Sequence, residues 1–334
     1  MGKFWDWYFK PIAEIFAPPL EFGDELIEPG VSLKAGPPVP SYRPQSFDDY
    51  IGQDKAKQMI KSYIEGVKKR GMPFPHTLIY GNAGCGKTTL ARIIANELKQ
   101  PISEIIGAEI KNSYDISWKL HEFGGKSGVI FLDEVHAMDR NTVEGLYPMM
   151  EDFKHNNQQI APFTMIGATT ELGEILKRSR PFVERFKLWI ELESYTSKDI
   201  VEIVRRYRAK LFINDKISDI DLDIIGANAR YTPRTGIRFL EATIYLGDIK
   251  LALKNANVIK EGYTIRDLKC LKYLNNNQKG VGLQGLSSYL NIPQELYMYE
   301  VEPYLLQNNL ITRTPRGRKI TDEGLIKMKE LDGQ

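Results

Sequence analysis

One short run carries the clearest chemistry: Gly81-Asn82-Ala83-Gly84-Cys85-Gly86-Lys87-Thr88. Its glycines let successive backbone N–H groups turn inward on a phosphate, the lysine reaches the outer phosphates, and the threonine hydroxyl is a magnesium ligand. The pattern is informative only between a strand and a helix, and both flanks fit. His76 to Tyr80 reads as a buried strand, and Thr88 to Leu98 sets Leu90, Ile93, Ile94 and Leu98 at helical spacing. Cys85 holds a variable position of the loop and reads as small filler. A second motif separates hydrolysis from passive binding. Gly128-Val129-Ile130-Phe131-Leu132-Asp133-Glu134 is an apolar strand ending in two carboxylates, which predicts Asp133 beside the magnesium and Glu134 polarising water. His136 behind them reads as an ordinary packed or solvated histidine, without a catalytic part.

These groups need a framework, and the composition supplies one. The chain has 334 residues, 42% hydrophobic and 26% charged, enough for a sizeable core in two or three domains. Lys+Arg at 45 against Asp+Glu at 43 leaves a formal charge of +2, so any DNA-binding surface must be a local cluster. Two cysteines build no disulfide framework, which fits a reducing cytoplasm. At the amino end, Lys3, Asp6, Lys10, Pro11 and Glu14 break the apolar stretches, so neither a membrane span nor a signal peptide is expected. Asp6 also spoils the start of a myristoylation pattern. The cluster Phe4, Trp5, Trp7, Tyr8 and Phe9 reads equally as a strip folded onto the body or as a docking peptide.

From Ser41 onward, short apolar runs alternate with amphipathic stretches. Strands are expected at His76–Tyr80, Ile102–Ile106, Val129–Leu132, Phe163–Gly167 and Leu188–Leu192, giving an α/β domain with a mostly parallel sheet. Ser197 to about Asn255 has helical periodicity alone. From about Val258 the chain reads as helices, Leu283–Leu290 and Glu300–Asn308, then a hairpin, Leu310–Thr312 with Lys319–Thr321. Arg313, Arg316, Arg318 and Lys319 surround the turn of that hairpin, where they would project together toward a DNA backbone. Nothing there promises base-edge reading, so the contacts should be sequence-indifferent and salt-dependent.

At this point the sequence resembles a known family. Arg43-Pro44-Gln45-Ser46-Phe47-Asp48-Asp49-Tyr50-Ile51-Gly52-Gln53 is similar to the adenine-side entry of AAA+ ATPases. Asp133-Glu134-Val135-His136, Glu151-Asp152-Phe153, Pro162 to Thr170 and Thr232-Pro233-Arg234 resemble the RuvB family of Holliday-junction branch-migration motors. Glu302 to Gln307 and Arg313 to Arg318 resemble its winged-helix domain. The resemblance implies a P-loop AAA+ sheet domain over 41–192, a helical lid over 193–255 and a winged helix over 256–334, preceded by an extension over 1–40. It implies ATP/ADP with Mg2+, bound by Gly81, Gly84, Cys85, Gly86, Lys87, Thr88 and Thr89. Arg43, Ile51, Gly52, Tyr195 and Pro233 would lie on the adenine side, and Thr88 with Asp133 at the metal. Thr169 would be the polar sensor, with Thr170 as a substitute, and Arg234 the lid sensor at the γ-phosphate. Arg185 would be the arginine finger given to a neighbouring subunit, with Arg178 and Arg180 competing. The partners implied are branched or duplex DNA and copies of the chain in a ring, expected as a hexamer in the cytoplasm; no membrane is involved.

The sequence also departs from that family. Between Phe153 and Pro162 stands only Lys-His-Asn-Asn-Gln-Gln-Ile-Ala, where the family inserts a longer β-hairpin that docks the junction-recognising protein RuvA. The hairpin is expected to be deleted, which puts RuvA docking in doubt. Tyr231 replaces the glycine of the family's Gly-Thr-Pro-Arg, and Lys187 the glycine after the finger. Three functions stay open on these residues: an ATP-driven DNA motor, an ATP-switched clamp-loader-like protein, and a nucleotide-stabilised structural subunit.

Overall fold

The computed structural model describes residues 42–212 and 217–333; the amino-terminal aromatic cluster lies outside them. A five-stranded sheet is formed by β1 (Thr77–Gly81), β2 (Ile102–Ile106), β3 (Val129–Asp133), β4 (Thr164–Thr169) and β5 (Leu188–Leu192). All neighbours are parallel, in the order β2-β3-β4-β1-β5. Each expected strand is present within a residue or two. β4 is buried along its whole length and β3 nearly so, whereas edge strand β5 alternates buried and exposed residues. Alternate side chains feed two cores. Ile79, Val129, Phe131, Ile166 and Ala168 pack on one face, and Leu78, Ile130, Leu132 and Met165 on the other. Because β1 is central while β2 is at an edge, the loop leaving β1 opens at a topological switch point, where such sheets bind ligands.

Four helices follow, Ser197–Leu211, Asp219–Asn228, Pro233–Leu246 and Ile249–Asn255. Thr196 with Asp199 and Ser218 with Asp221 form capping boxes that fix where the first two begin. Ile200, Val204, Leu222, Ile225, Phe239 and Leu240 join the first sheet core, so this lid closes over one end of the sheet. The C-terminal part has its own core around Cys270, Leu271, Leu274, Leu286, Tyr297 and Leu305. It is a winged helix: helices Ile265–Asn276, Leu283–Leu290 and Gln294–Leu296 continuing to Gln307, then wing strands Ile311–Thr314 and Gly317–Ile320, and a last helix Asp322–Asp332. The helix expected from Glu300 starts earlier, at Gln294, and passes through a π-helical turn at Tyr297–Val301 that buries Tyr297.

Two small hairpins have no precedent in the sequence reading. Val258–Lys260 pairs with Tyr263–Thr264 through Glu261-Gly262, at φ 52° and 79°. Lys154-His155 pairs with Gln158-Gln159 through Asn156-Asn157, at φ 49° and 62°. Two positive φ values in a two-residue loop are the turn that tight hairpins need, and asparagine tolerates them. The expected deletion is therefore a minimal hairpin. It is tied down where Asn156 Nδ2 donates to the Tyr114 hydroxyl at 2.9 Å and His155 Nε2 meets Ser113 Oγ at 3.2 Å. No helix among the described residues is long and apolar enough to cross a membrane.

Candidate functional site

The loop between β1 and helix Lys87–Leu98 is shaped by close approach of its neighbours. Gly84 (φ 76°) and Gly86 (φ 97°) both have left-handed backbones. A Cβ on Gly84 would stand 2.9 Å from Arg234 Cβ, and one on Gly86 2.7 Å from the Tyr50 hydroxyl. Lys87 is buried and its Nζ donates to the carbonyls of Gly81 at 2.9 Å and Asn82 at 3.2 Å. The Cys85 carbonyl accepts from the Tyr195 hydroxyl at 3.1 Å, and burial pushes its thiol pKa up, so this sulfur is inert filler. The Thr88 hydroxyl donates to Asp133 Oδ2 at 3.4 Å. Burial, and then the charge of Glu134, push the Asp133 pKa up against the pull of the Glu134 N–H, Lys87 and Thr88. A hydroxyl and a carboxylate whose charge is disfavoured in this way fit a magnesium ion that takes its other ligands from phosphate and water.

Glu134 follows β3 in a left-handed conformation, φ 51°. Its Oε2 accepts from the Thr170 hydroxyl at 3.2 Å and lies 3.2 Å from His136 Nδ1. Thr169 is fully buried and its oxygen is engaged by His136 at 3.0 Å and by the Glu171 N–H at 2.9 Å. Of the two threonines at the end of β4, Thr170 is thus the one that addresses Glu134. His136, given no part by the sequence, lies between Glu134, Thr169 and Glu171, and Glu171 in turn accepts from Tyr299 of the winged helix. Only the pairing of β3 with β4 brings these positions together.

A cleft of about 490 Å³ opens between sheet domain and lid. Arg43, Ile51, Gly84, Gly86, Lys87, Thr88, Thr89, Asp133, Glu134, Tyr195, Pro233 and Arg234 line it as expected. Gly52, Gly81 and Cys85 do not. Gly52 (φ 66°) lies behind Tyr195, Gly81 is pressed against Leu192, and Cys85 is buried. The sequence reading missed much of the rest of the wall, including Tyr50, Ile203, Tyr207, Ile237, Arg238 and Glu241. The signal was there: Ile203 with Tyr207 and Ile237 with Glu241 are four apart, each pair on one helix face.

Arg185 does not line this cleft. Its guanidinium stacks 3.7 Å from the centre of the Tyr147 ring and pairs with Glu151 at 2.9 Å, and its Nε has no partner among the described residues. Of its competitors, Arg178 donates to the carbonyl of His136 at 2.7 Å, and Arg180 is an exposed partner of Glu184.

The wing corrects the expectation of four arginines and lysines projecting together. Arg313 and Arg318 are paired across the hairpin and converge on Glu302, which is fully buried; Arg318 is bidentate at 2.7 and 3.0 Å and Arg313 donates at 2.9 Å. Burial alone would raise the Glu302 pKa, but hydrogen bonds and charge from Arg318 and Arg313 overcome it and hold it low. Arg318 is therefore structural. Lys319 points to the opposite strand face, and Arg316 is exposed at the tip. Lys279, which the sequence reading passed over, is exposed in the loop where a Cβ on Gly280 would stand 3.1 Å from the Arg316 carbonyl.

The chain matches the family profile described as the Holliday junction DNA helicase RuvB P-loop domain over residues 42–192, and the RuvB C-terminal winged helix domain over 260–329. It is 34% identical to the Holliday junction branch migration complex subunit RuvB of Mycoplasmopsis pulmonis over 314 residues, 86% of this chain and 98% of that protein. Identity to the protein of that name from Ehrlichia canis is 33% over 314 residues, 87% of this chain and 94% of that one. The solved Thermotoga maritima RuvB Holliday junction branch migration motor aligns with a TM-score of 0.74 at 33% identity, over 86% of this chain and 98% of the other. An ORC2 protein of Aeropyrum pernix, 14% identical with a TM-score of 0.53 over 87% of this chain and 95% of its own, shares the fold alone.

Proposed function

Since the chain belongs to the RuvB family, we propose that it is an ATP-driven, ring-forming motor that moves the arms of branched DNA in recombination and repair. One observation carries the reading. The phosphate loop, the Asp133–Glu134 pair and Arg234 wall a single cleft in a chain that also carries a winged helix. Lys87 and Arg234 place two cations where charge develops on the transferred phosphoryl group, and Glu134, held by Thr170, orients the attacking water. Thr88 and Asp133 would hold magnesium, which when bound neutralises phosphate charge. Thr170 is our choice of sensor, because it touches Glu134 and Thr169 does not.

A further cation must come from elsewhere, and Arg185 lies outside its own cleft. We assign it to the cleft of the next protomer in a ring, a hexamer by family, which makes turnover depend on assembly. DNA would meet Arg316, Arg313 and Lys279 through its backbone, without reading sequence, with Lys319 on the other face of the wing. With so short a hairpin at Lys154–Gln159, a RuvA-like protein would have to dock by another surface, and the cytoplasm is the expected compartment. The test is ATP turnover alone, with linear duplex and with a four-way junction, followed by strand exchange on that junction. A motor is stimulated by the junction and moves it; stimulation without strand movement would point to a loader instead.

A further inference from the structure

Helix Glu302–Gln307 touches both the wing and the lid. At its start, buried Glu302 grips Arg313 and Arg318 of the wing strands. At its end, Asn308 Oδ1 accepts from the Tyr231 hydroxyl at 3.0 Å, and the Tyr304 ring lies 5.7 Å from that of Tyr231 and 4.3 Å from the Arg230 guanidinium. Arg230 also reaches both oxygens of fully buried Asp267 at 2.8 and 2.9 Å. Arg230 and Tyr231 are consecutive non-glycine residues in the left-handed region, φ 52° and 58°. Glycine is the residue such a backbone favours, and neither position has one. The strain is held on two sides: the Tyr195 N–H donates to the Tyr231 carbonyl at 3.2 Å, and the winged helix grips both side chains. Immediately after come Thr232 and Arg234, so close to the phosphate loop that a Cβ on Gly84 would stand 2.9 Å from each.

We propose that Tyr231 is a positioning residue: its bond to Asn308 ties the DNA-contacting wing to the loop that seats Arg234 on Gly84, so that nucleotide and DNA affinities are coupled through it. With the tie made, the strained loop holds Arg234 at the phosphates. With it released, the loop relaxes and Arg234 withdraws. This deepens the proposed function and rests on it. A competing route runs from Tyr299 through Glu171 to His136 and Glu134.

The test uses the full chain and compares Tyr231→Phe, Asn308→Ala, the double variant and Tyr299→Phe, with thermal melts confirming that each is folded. Affinity for a non-hydrolysable ATP analogue is measured with and without a four-way junction, alongside turnover under both conditions. Coupling is reciprocal, so the junction's effect on analogue affinity measures it without any hydrolysis. Tyr231→Phe and Asn308→Ala should each cut that effect by at least about threefold and lower turnover with and without the junction, while junction affinity in the absence of nucleotide stays within about twofold of the parent; the double variant should be no worse than either single one. Tyr299→Phe should behave as the parent. Undiminished coupling in both single variants, additive losses in the double, or loss confined to Tyr299→Phe would overturn the proposal. A parent chain showing neither coupling nor junction-stimulated turnover overturns the functional reading and this one with it. A normally stimulated parent with coupling indifferent to Tyr231→Phe overturns this one alone.

Discussion

Glu134 has a strained backbone, φ 51°, and under the proposed function its substitution should separate binding from hydrolysis. Glu134→Gln keeps the Thr170 contact and the shape of the cleft, so nucleotide affinity should stay within about threefold while turnover drops about 10²- to 10⁴-fold. Lys87→Ala should instead abolish nucleotide binding in an equilibrium titration, because it removes the buried cation of the loop. His76 behaves differently. It accepts the Met165 N–H at 2.9 Å on Nδ1, its Nε2 lies 3.0 Å from the Met150 carbonyl, and burial pushes its pKa down to about 4. Protons bind the unfolded chain more readily between the ordinary histidine value and that one. Unfolding free energy should therefore fall as pH drops from about 6.5 to about 4, by on the order of 3 kcal/mol. Denaturant titrations across that range check it, and a flat profile would exclude His76 as the cause.

The wing is the element where charge had to be sorted by packing. Arg318→Ala leaves Glu302 buried with one exposed partner and should destabilise the winged helix by about 3 kcal/mol. Arg316→Ala should leave the melting temperature unchanged but weaken duplex binding and lower its salt slope by about one. Two similar arginines in one hairpin thus give opposite readouts, in calorimetry and in salt-dependent titration. The low Glu302 pKa has its own signature. Its contribution is complete above the ordinary glutamate value and is lost as pH falls through the lower, folded-state one, so the winged helix should loosen only in acid.

At the scale of the molecule, the cleft is walled by the phosphate loop, Asp133, Glu134 and Arg234, and Arg185 lies outside it, as the proposed trans contribution requires. Arg185→Ala should retain nucleotide and DNA binding and lose about 10³-fold or more in turnover. Mixing it with Glu134→Gln, also inactive, should restore part of the activity, because an intact Arg185 from one variant then faces an intact Glu134 of the other. Turnover measured over a mixing series shows this as a maximum between two inactive ends; a flat line would place Arg185 outside the trans site.

How much of this was legible follows from the range of the interactions. The phosphate loop, the Asp133–Glu134 strand and the five core strands rest on local patterns, glycine spacing and unbroken apolar runs, and the sequence by itself determined them. The lid wall of the cleft was half legible, as helical spacing without a known partner. The contacts of Thr170, His136, Arg318 and Tyr231 were not legible, because each is made with a residue far along the chain. Thr170 meets Glu134 and Tyr231 meets Asn308 only once strands pair and domains dock. Arg313 and Arg318 look alike in sequence, and burial of Glu302 beneath the hairpin decided that Arg318 belongs to the structure. Tertiary structure decides such cases because an ionic or hydrogen-bonding side chain is defined by what packing places opposite it, which spacing along the chain does not encode.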